Sequence, residues 1–256
     1  MHYKVGMGRW ISYILSGMLV ITAAVFLGHL TADLWSRTVI PTGSTGETEG
    51  KDPFLVIDPG HGGEDGGASS ADGILEKELN LQIAQNLSDI AGLFGYKTVM
   101  TRTTDSMLYD LYNDLDDYTG YRKTYDLRNR LRLAKDLNGE IFVSIHMNKF
   151  PEPQYKGLQV YYSPNHTDSQ KIAAFIQSYA RTYIQPENTR EIKEATSSIY
   201  LLHRIKTPAV LVECGFLSNP EETDMLTTPE YRCRLAGMIF ASTAEWYESG
   251  KNTELT

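Results

Sequence analysis

Two histidines follow apolar segments that have the length of buried strands. His61 comes just after "FLVIDPG", and His146 lies at the end of the segment "FVSIHMN". Because ligands of open α/β sheets bind at the carboxyl ends of the strands, both imidazoles are predicted at one edge of a sheet. Glu76 begins a helical pattern fifteen residues after His61, where its carboxylate can reach back over the loop. Two imidazoles and one carboxylate with an open fourth position are typical of catalytic zinc.

Each residue of this set also has a simpler interpretation. A single histidine after a strand is often an ordinary loop or core residue, and Glu76 could be a first-turn charge that stabilises the helix dipole. The shared position at strand ends favours a metal site. The remaining histidines, His2, His29, His166 and His203, do not have that position.

The glycines around His61 first suggest a phosphate-binding loop, but their spacing excludes one. A dinucleotide-binding pattern that starts at Gly60 needs glycine where Asp65 stands. A Walker A loop that starts at Gly62 needs lysine where Ala68 stands. Acidic side chains in the loop would also repel a phosphate. The glycines are therefore predicted to allow a tight turn beside an imidazole.

Glu213 occupies a third strand end, in "PAVLVECGF". A carboxylate at that position is costly to bury unless it is paired, protonated or used, and a general base beside a metal would account for it. A salt bridge to an arginine is the alternative. The adjacent Cys214 raises the hypothesis of a thiol hydrolase, although strand alternation should turn it to the other face of the sheet. No G-x-S-x-G motif is present.

Apolar segments alternate with helical patterns through the middle of the chain. This alternation predicts one α/β domain with a mixed, mostly parallel central sheet flanked by helices. The predicted strands are residues 54–58, 96–101, 140–148, 157–163 and 208–215, and the predicted helices are residues 77–93, 126–137, 169–184 and 228–247.

The segment 106–126 is longer than an ordinary strand-to-helix connection and is rich in Asp and Tyr. One interpretation is a mobile surface insertion. The other is a wall of a substrate groove or a surface for a partner.

The N-terminal region predicts export. Trp10 to Ala32 contains no charged Asp, Glu, Lys or Arg side chain, and Lys4 and Arg9 precede it. Residues 1–35 are therefore expected to be a membrane anchor, which the length favours, or a signal peptide, with the rest of the chain on the outer face of the cytoplasmic membrane. Residues 36–52 are predicted to be a flexible linker, 53–249 the catalytic domain and 250–256 a loose tail.

Charge and cysteine content narrow the function classes. The chain has 256 residues and a net charge of -8, which argues against nucleic acid as a partner. Its two cysteines, Cys214 and Cys233, lack metal-binding spacing and are expected to be free and mostly buried, although an exported protein could also pair them.

Three separated blocks resemble one enzyme family. "VIDPGHGGEDGGA…GILEKELNL", "SIHMN" and "LVECGFLSNPEE" are similar to the conserved blocks of the zinc-dependent N-acetylmuramoyl-L-alanine amidases, the amidase-3 family. The resemblance extends from about Phe54 to Tyr247 and includes "TRTTD" and "DLRNRLRLA". The single N-terminal apolar segment and the lack of cell-wall-binding repeats are most like the sporulation members.

The resemblance implies a role for each matching residue. His61, Glu76 and His146 correspond to the Zn²⁺ ligands, and Glu213 corresponds to the catalytic glutamate. The implied reaction is hydrolysis of the amide between the lactyl group of N-acetylmuramic acid and L-alanine by zinc-activated water. Asn148 could position substrate or only make a turn hydrogen bond.

The implied partners are peptidoglycan, the membrane through the N-terminal segment, and a protein whose identity the resemblance leaves open. The implied location is the outer face of the membrane, the cell wall or the spore envelope, with a role in spore cortex maturation. The alternative function is a non-catalytic peptidoglycan-binding or scaffold protein on the same fold. Arg130 is expected to be structural.

Overall fold

A computed structural model describes residues 54–253 of the chain, and its centre is a mixed six-stranded sheet. The strand order is β2-β1-β3-β6-β4-β5. β1, β2, β3 and β6 run parallel, whereas β4 pairs antiparallel with β6 and parallel with β5. The strands are β1 (Leu55–Pro59), β2 (Thr98–Met100), β3 (Ile141–Asn148), β4 (Gln159–Tyr162), β5 (Lys193–Glu194) and β6 (Ala209–Phe216).

Helices cover both faces of this sheet, as parallel strands require. The helices are α1 (Glu76–Leu93), α2 (Arg122–Leu137), α3 (Thr167–Tyr179), α4 (Pro220–Thr227) and α5 (Pro229–Thr253), with a short π-helix at Ala180–Ile184. α1, α3 and α5 pack on one face, and α2 packs on the other together with the segment 195–205. The predicted mixed, mostly parallel α/β fold is confirmed.

Side-chain alternation along the strands divides the core in two. Ile57, Val143 and Val212 belong to the cluster under α1, α3 and α5, whereas Phe142 and Leu211 belong to the cluster under α2. Successive side chains of a strand point to opposite faces of the sheet. The side chains on the face covered by α2 are therefore those of the even-numbered residues of β3 and the odd-numbered residues of β6. His146 and Glu213 therefore share the α2 face.

Several element boundaries differ from the predicted ones. α2 begins at Arg122, inside the segment predicted as an insertion, and α5 continues to Thr253, past the domain end predicted at residue 249. α4 was not predicted, because "SNPEE" has the composition of a turn. Asn219 makes it a helix by accepting a hydrogen bond from the Glu222 N–H at 3.0 Å, and Pro220 fits the first turn.

The predicted N-terminal segment (1–35) and linker (36–52) lie outside the described residues, as does the end of the predicted tail. Within residues 54–253, no helix combines the length and apolar character needed to cross a bilayer. Both cysteines are free, as expected. Cys214 is buried, but Cys233 is exposed, so the expectation of two mostly buried thiols is wrong for Cys233, which faces solvent from α5.

Candidate active site

The predicted site residues meet at the carboxyl ends of three neighbouring parallel strands. β1 lies beside β3, and β3 lies beside β6. In the β3–β6 ladder His146 pairs directly with Glu213. The loop after β1 carries His61, whose ring centroid lies 5.0 Å from that of His146. Three segments that are distant in sequence thus contribute to one edge of the sheet.

The loop after β1 holds His61 in an unusual backbone conformation. His61 has a φ of 62°, in the left-handed region that non-glycine residues rarely adopt. The buried Arg130 of α2 donates a hydrogen bond to the His61 carbonyl at 2.6 Å and another to the Pro59 carbonyl at 2.8 Å. Nδ1 of His61 lies 2.8 Å from Oδ2 of Asp65. The ring is therefore oriented from both its backbone and its Nδ1 side.

Two glycines of the loop leave space for the site itself. A Cβ atom at Gly60 would lie 2.2 Å from Nε2 of His146. A Cβ atom at Gly67 would lie 2.5 Å from Oε2 of Glu76 and 2.7 Å from Cδ2 of His61. Any side chain at these two positions would displace an imidazole or the Glu76 carboxylate. The glycines hence serve close approach, as the sequence suggested, and not phosphate binding.

Glu76 is buried at the start of α1, and its carboxylate points toward the two histidines instead of capping its own helix. Oε1 lies 2.8 Å from Nδ1 of His146 and accepts a hydrogen bond from the Met147 N–H at 3.0 Å. Oε2 accepts from the Ala68 N–H at 2.7 Å and lies 3.3 Å from Nε2 of His61. Both oxygens are thus fixed by neighbouring donors.

This cluster fits a divalent metal such as zinc. One ligand atom from each of His61, Glu76 and His146 can be chosen so that all three lie within 4.8 Å of one another. Burial raises the pKa of Glu76, but His146 and His61 lower it well below its usual range. Burial lowers the pKa of His61, but Asp65 and Glu76 raise it to about 9. A charged carboxylate between two imidazoles, each of which binds zinc in its unprotonated form, is a donor set that zinc favours.

Glu213 lies next to this cluster but is held differently. Its Oε2 is buried, and within residues 54–253 that atom has no hydrogen-bond partner. Burial raises the pKa of Glu213 to about 7; His146 and His61 oppose the shift and Glu76 adds to it. The predicted alternative, a salt bridge to an arginine, is not present among the ion pairs of the described residues. A carboxyl group in this state can both accept and donate a proton near neutral pH.

Cys214 and Asn148 have ordinary structural surroundings. Cys214 is fully buried in the cluster under α1, α3 and α5, on the opposite face from Glu213, as strand alternation predicts. Burial raises the pKa of its thiol, which disfavours the reactive thiolate. Oδ1 of Asn148 accepts a hydrogen bond from the Lys149 N–H at 2.8 Å. That is the turn interaction considered for Asn148, and its role in substrate positioning stays a prediction.

Residues that support the site were underestimated or missed from the sequence. Arg130, expected to be structural, ion-pairs with Asp58 and Asp126 at 2.8 Å each and also fixes the His61 carbonyl. Arg102, in "TRTTD", donates to the carbonyls of Pro59 and Gly60 at 2.9 and 3.0 Å. The sequence signal that could have identified Arg102 was an arginine within a short polar motif.

Asn80 and Asp65 were also missed. Asn80 lies one turn after Glu76 and donates to the Gly60 carbonyl at 3.2 Å and to Oε1 of Glu76 at 3.3 Å. Asp65 holds Nδ1 of His61, whereas from the sequence its carboxylate was expected only to repel phosphate.

The Asp- and Tyr-rich segment is attached to the loop after β1. Oδ1 of Asp126 accepts a hydrogen bond from the buried Leu108 N–H at 2.6 Å, which ties the two ends of the segment together. Arg122 forms an ion pair with Glu64, and Lys123 lies 3.3 Å from Oδ2 of Asp65. The segment therefore borders the candidate site.

Sequence comparisons match this chain to one enzyme family. The family described as N-acetylmuramoyl-L-alanine amidase matches residues 55–244. The germination-specific N-acetylmuramoyl-L-alanine amidase of Bacillus subtilis (strain 168) is 31% identical over 239 residues, which are 93% of this chain and 94% of that protein.

Solved structures of the same kind superpose on the described fold. The CwlD amidase from Clostridioides difficile, solved in complex with the GerS lipoprotein, has a TM-score of 0.72 at 34% identity and covers 78% of this chain and 100% of that one. The N-acetylmuramoyl-L-alanine amidase AmiC2 of Nostoc punctiforme has a TM-score of 0.64 at 28% identity, with 77% and 97% covered. The expected likeness to the sporulation members is confirmed. This chain belongs to the N-acetylmuramoyl-L-alanine amidase family.

Proposed function

We propose that this chain is a zinc-dependent amidase of peptidoglycan. It would cleave the amide between the lactyl group of N-acetylmuramic acid and the L-alanine of the stem peptide. The observation that carries the proposal is the unpartnered, buried Oε2 of Glu213 beside the cluster of His61, Glu76 and His146. A structural carboxylate would have a partner, whereas a proton-transferring carboxylate needs a free oxygen.

His61, Glu76 and His146 are the residues that would hold the metal. Zinc bound there polarises the amide carbonyl and lowers the pKa of a water molecule toward neutrality. Asp65 keeps Nδ1 of His61 occupied, so that Nε2 of the same ring is directed to the metal position. Arg130 and Arg102 hold the loop that carries His61.

Glu213 is the proposed general base and then the general acid. Its carboxylate takes a proton from the attacking water while the water oxygen bonds to the amide carbon. When the carbon–nitrogen bond breaks, Glu213 gives that proton to the nitrogen of the leaving L-alanine. The pKa of about 7 suits both transfers, because each protonation state is accessible near neutral pH.

Digestion of purified peptidoglycan by the full-length chain tests this proposal. We expect mass spectrometry to detect free stem peptides, and we expect a chelator to abolish their release and added zinc to restore it. Lack of release from zinc-loaded protein would support the scaffold alternative. Release that survives chelation but is lost in Cys214→Ala would support a thiol hydrolase instead.

We extend the proposal to the cellular context. The apolar stretch from Trp10 to Ala32, with basic residues before it, supports a location outside the cytoplasmic membrane. The likeness to a germination-specific amidase supports action on spore peptidoglycan, and the presence of a lipoprotein in the CwlD structure supports a protein partner. Muropeptide analysis of spores that lack this chain tests the substrate, since their muramic acid should keep its peptides.

A further inference from the structure

The loop of residues 149–158, which connects β3 to β4, carries two exposed aromatic side chains. Phe150 is 46% exposed and Tyr155 is 43% exposed. Their ring centroids lie 4.8 Å apart with an interplanar angle of 78°. Large apolar side chains at a protein surface are normal when single, but a contiguous pair indicates a contact surface. We call Phe150 and Tyr155 the aromatic platform.

The first half of this loop is fixed by the segment that follows β6. The Phe150 N–H donates a hydrogen bond to Oγ of Ser218 at 3.1 Å. Nδ2 of Asn219 donates to the Pro153 carbonyl at 2.8 Å, while Oδ1 of the same side chain caps α4. The platform is therefore attached to the strand that carries the proposed general base.

The second half is fixed by two charged side chains. Nε of Arg190 donates to the Lys156 carbonyl at 2.7 Å, and its guanidinium lies over the Phe216 ring at 4.4 Å. Oε1 of the buried Glu222 accepts a hydrogen bond from the Gly157 N–H at 2.9 Å, and its Oε2 accepts from the Phe216 N–H at 2.7 Å. The rings thus stand on a loop whose backbone is held by hydrogen bonds, which reduces the conformational entropy lost when a ligand binds.

The platform adjoins the candidate active site. The loop starts directly after Asn148, which pairs with Phe216 in the sheet, and Phe150 is only four residues past His146. Both rings therefore lie at the carboxyl edge of the sheet, where His146 and Glu213 also lie. A substrate whose amide reaches Glu213 must extend past one of the walls of this edge.

We propose that the aromatic platform binds sugar rings of the glycan strand. The inference rests on the proposed function, because the scissile amide is attached to a pyranose through its lactyl group. The C–H-rich face of a pyranose is flat and apolar and stacks on aromatic rings, while its hydroxyl groups stay in water. A pair of rings on this fixed loop, at the same edge of the sheet as Glu213, therefore fits a glycan better than it fits a charged stem peptide.

The test compares substrates with one sugar and with many. The full-length chain in detergent is assayed on polymeric peptidoglycan and on a single-sugar muramoyl tripeptide, and it is titrated with a tetramer of β-1,4-linked N-acetylglucosamine by calorimetry. The variants are Phe150→Ala/Tyr155→Ala and the conservative Tyr155→Phe. Phe94→Ala is the matched control, because Phe94 is also an exposed ring that contacts another ring, Phe240, but lies at the end of α1 toward the opposite edge.

For the double variant we expect KM on the polymer to rise about tenfold with kcat retained, and tetramer binding to be lost. KM for the single-sugar substrate should rise less. Tyr155→Phe and Phe94→Ala should resemble the wild-type chain.

The inference would be overturned if the double variant kept both the wild-type KM on the polymer and the wild-type binding of the tetramer. That result would indicate a surface that binds a protein. Failure of the wild-type chain to cleave either substrate would instead refute the proposed function. In that case the calorimetric titration with the tetramer would still test whether the aromatic platform binds sugars.

Discussion

Glu76 and Glu213 lie at the same edge of the sheet, but their carboxylates have different surroundings. Glu76 has hydrogen-bonding neighbours on both oxygens, including two backbone N–H groups and two imidazoles. Glu213 has a buried oxygen that contacts no donor among residues 54–253. Saturated hydrogen bonding fixes a ligand in place, whereas an unpaired carboxylate stays available for proton transfer. Two chemically identical side chains thus acquire separate tasks from their surroundings.

Glu76→Gln should be the most damaging of the substitutions. The substitution removes the negative charge between two imidazoles and places an amide –NH₂ against N–H donors. We expect zinc affinity to fall by at least about 100-fold, more than supporting residues usually cost, and peptide release to reach background. Elemental analysis by mass spectrometry and the peptidoglycan assay measure both. Glu78→Gln, an exposed change in the same helical turn, is the control. Full zinc occupancy in Glu76→Gln would contradict its role as a ligand.

Glu213→Gln should distinguish the role of Glu213 from that of Glu76. We expect turnover to fall about 10²- to 10⁴-fold, the usual size of a general acid–base contribution, while zinc content stays that of the wild-type chain. The same two assays provide the measurement, and Glu191→Gln, a change in an exposed glutamate, serves as the reference. Zinc loss in Glu213→Gln would mean that Glu213 is itself a ligand, and the contrast with Glu76 would disappear.

Arg130→Leu tests how much the fold is stabilised by the buried ion pairs of Arg130, the residue that also holds the loop around His61. The change leaves Asp58 and Asp126 as buried carboxylates without their cation. We expect the free energy of unfolding to fall by about 3–5 kcal/mol, as measured by denaturant titration. Arg128→Leu removes an exposed arginine from the same helix and should change it by less than about 0.5 kcal/mol. Equal effects of the two changes would show that the buried ion pairs contribute nothing.

Asp65→Ala should weaken zinc binding on the His61 side of the site, by a smaller factor than Glu76→Gln. Without the carboxylate at Nδ1, the His61 ring loses its orientation, and we expect zinc affinity to fall about 10- to 100-fold. Competition with a fluorescent chelator measures this affinity. Asp65→Asn should recover part of it, since the amide oxygen can still accept from Nδ1. Glu64→Ala, which changes the neighbouring exposed carboxylate, should have no comparable effect.

Cys214→Ala should change activity least. The thiol is buried on the other face of β6, so kcat/KM should stay within about twofold of the wild-type value, well below the tenfold that corresponds to 1.4 kcal/mol. The peptidoglycan assay at equal zinc content measures it. A loss of kcat/KM as large as that of Glu213→Gln would indicate that the thiol, and not the Glu213 carboxylate, carries out the reaction.

Local pattern predicted most of the fold. Strand-length apolar segments and helical periodicity gave the five longer strands and the long helices, because both depend on residues close in sequence. α4 and the two-residue β5 were missed. α4 depends on the cap at Asn219 and on a buried Glu222, whose partners Gly157 and Gln185 lie far along the chain.

The site was predicted in part. Strand-end positions singled out His61, His146 and Glu213, the start of a helical pattern singled out Glu76, and the family resemblance implied a role for each. Arg102 and Asp65 were missed because nothing in their local pattern tells which carbonyl or ring they will meet. Arg102 bonds the carbonyl of Gly60, forty-two residues away.

Residue types and their spacing along the chain are enough to place the strand ends and to exclude a phosphate loop. The fold alone shows that Glu76 is enclosed by donors while Glu213 keeps a free oxygen. It also shows that Arg130 supports His61 and that Phe150 and Tyr155 stand on a braced loop. Hydrogen bonding and desolvation depend on neighbours brought together by the fold, and those neighbours are not encoded by local periodicity.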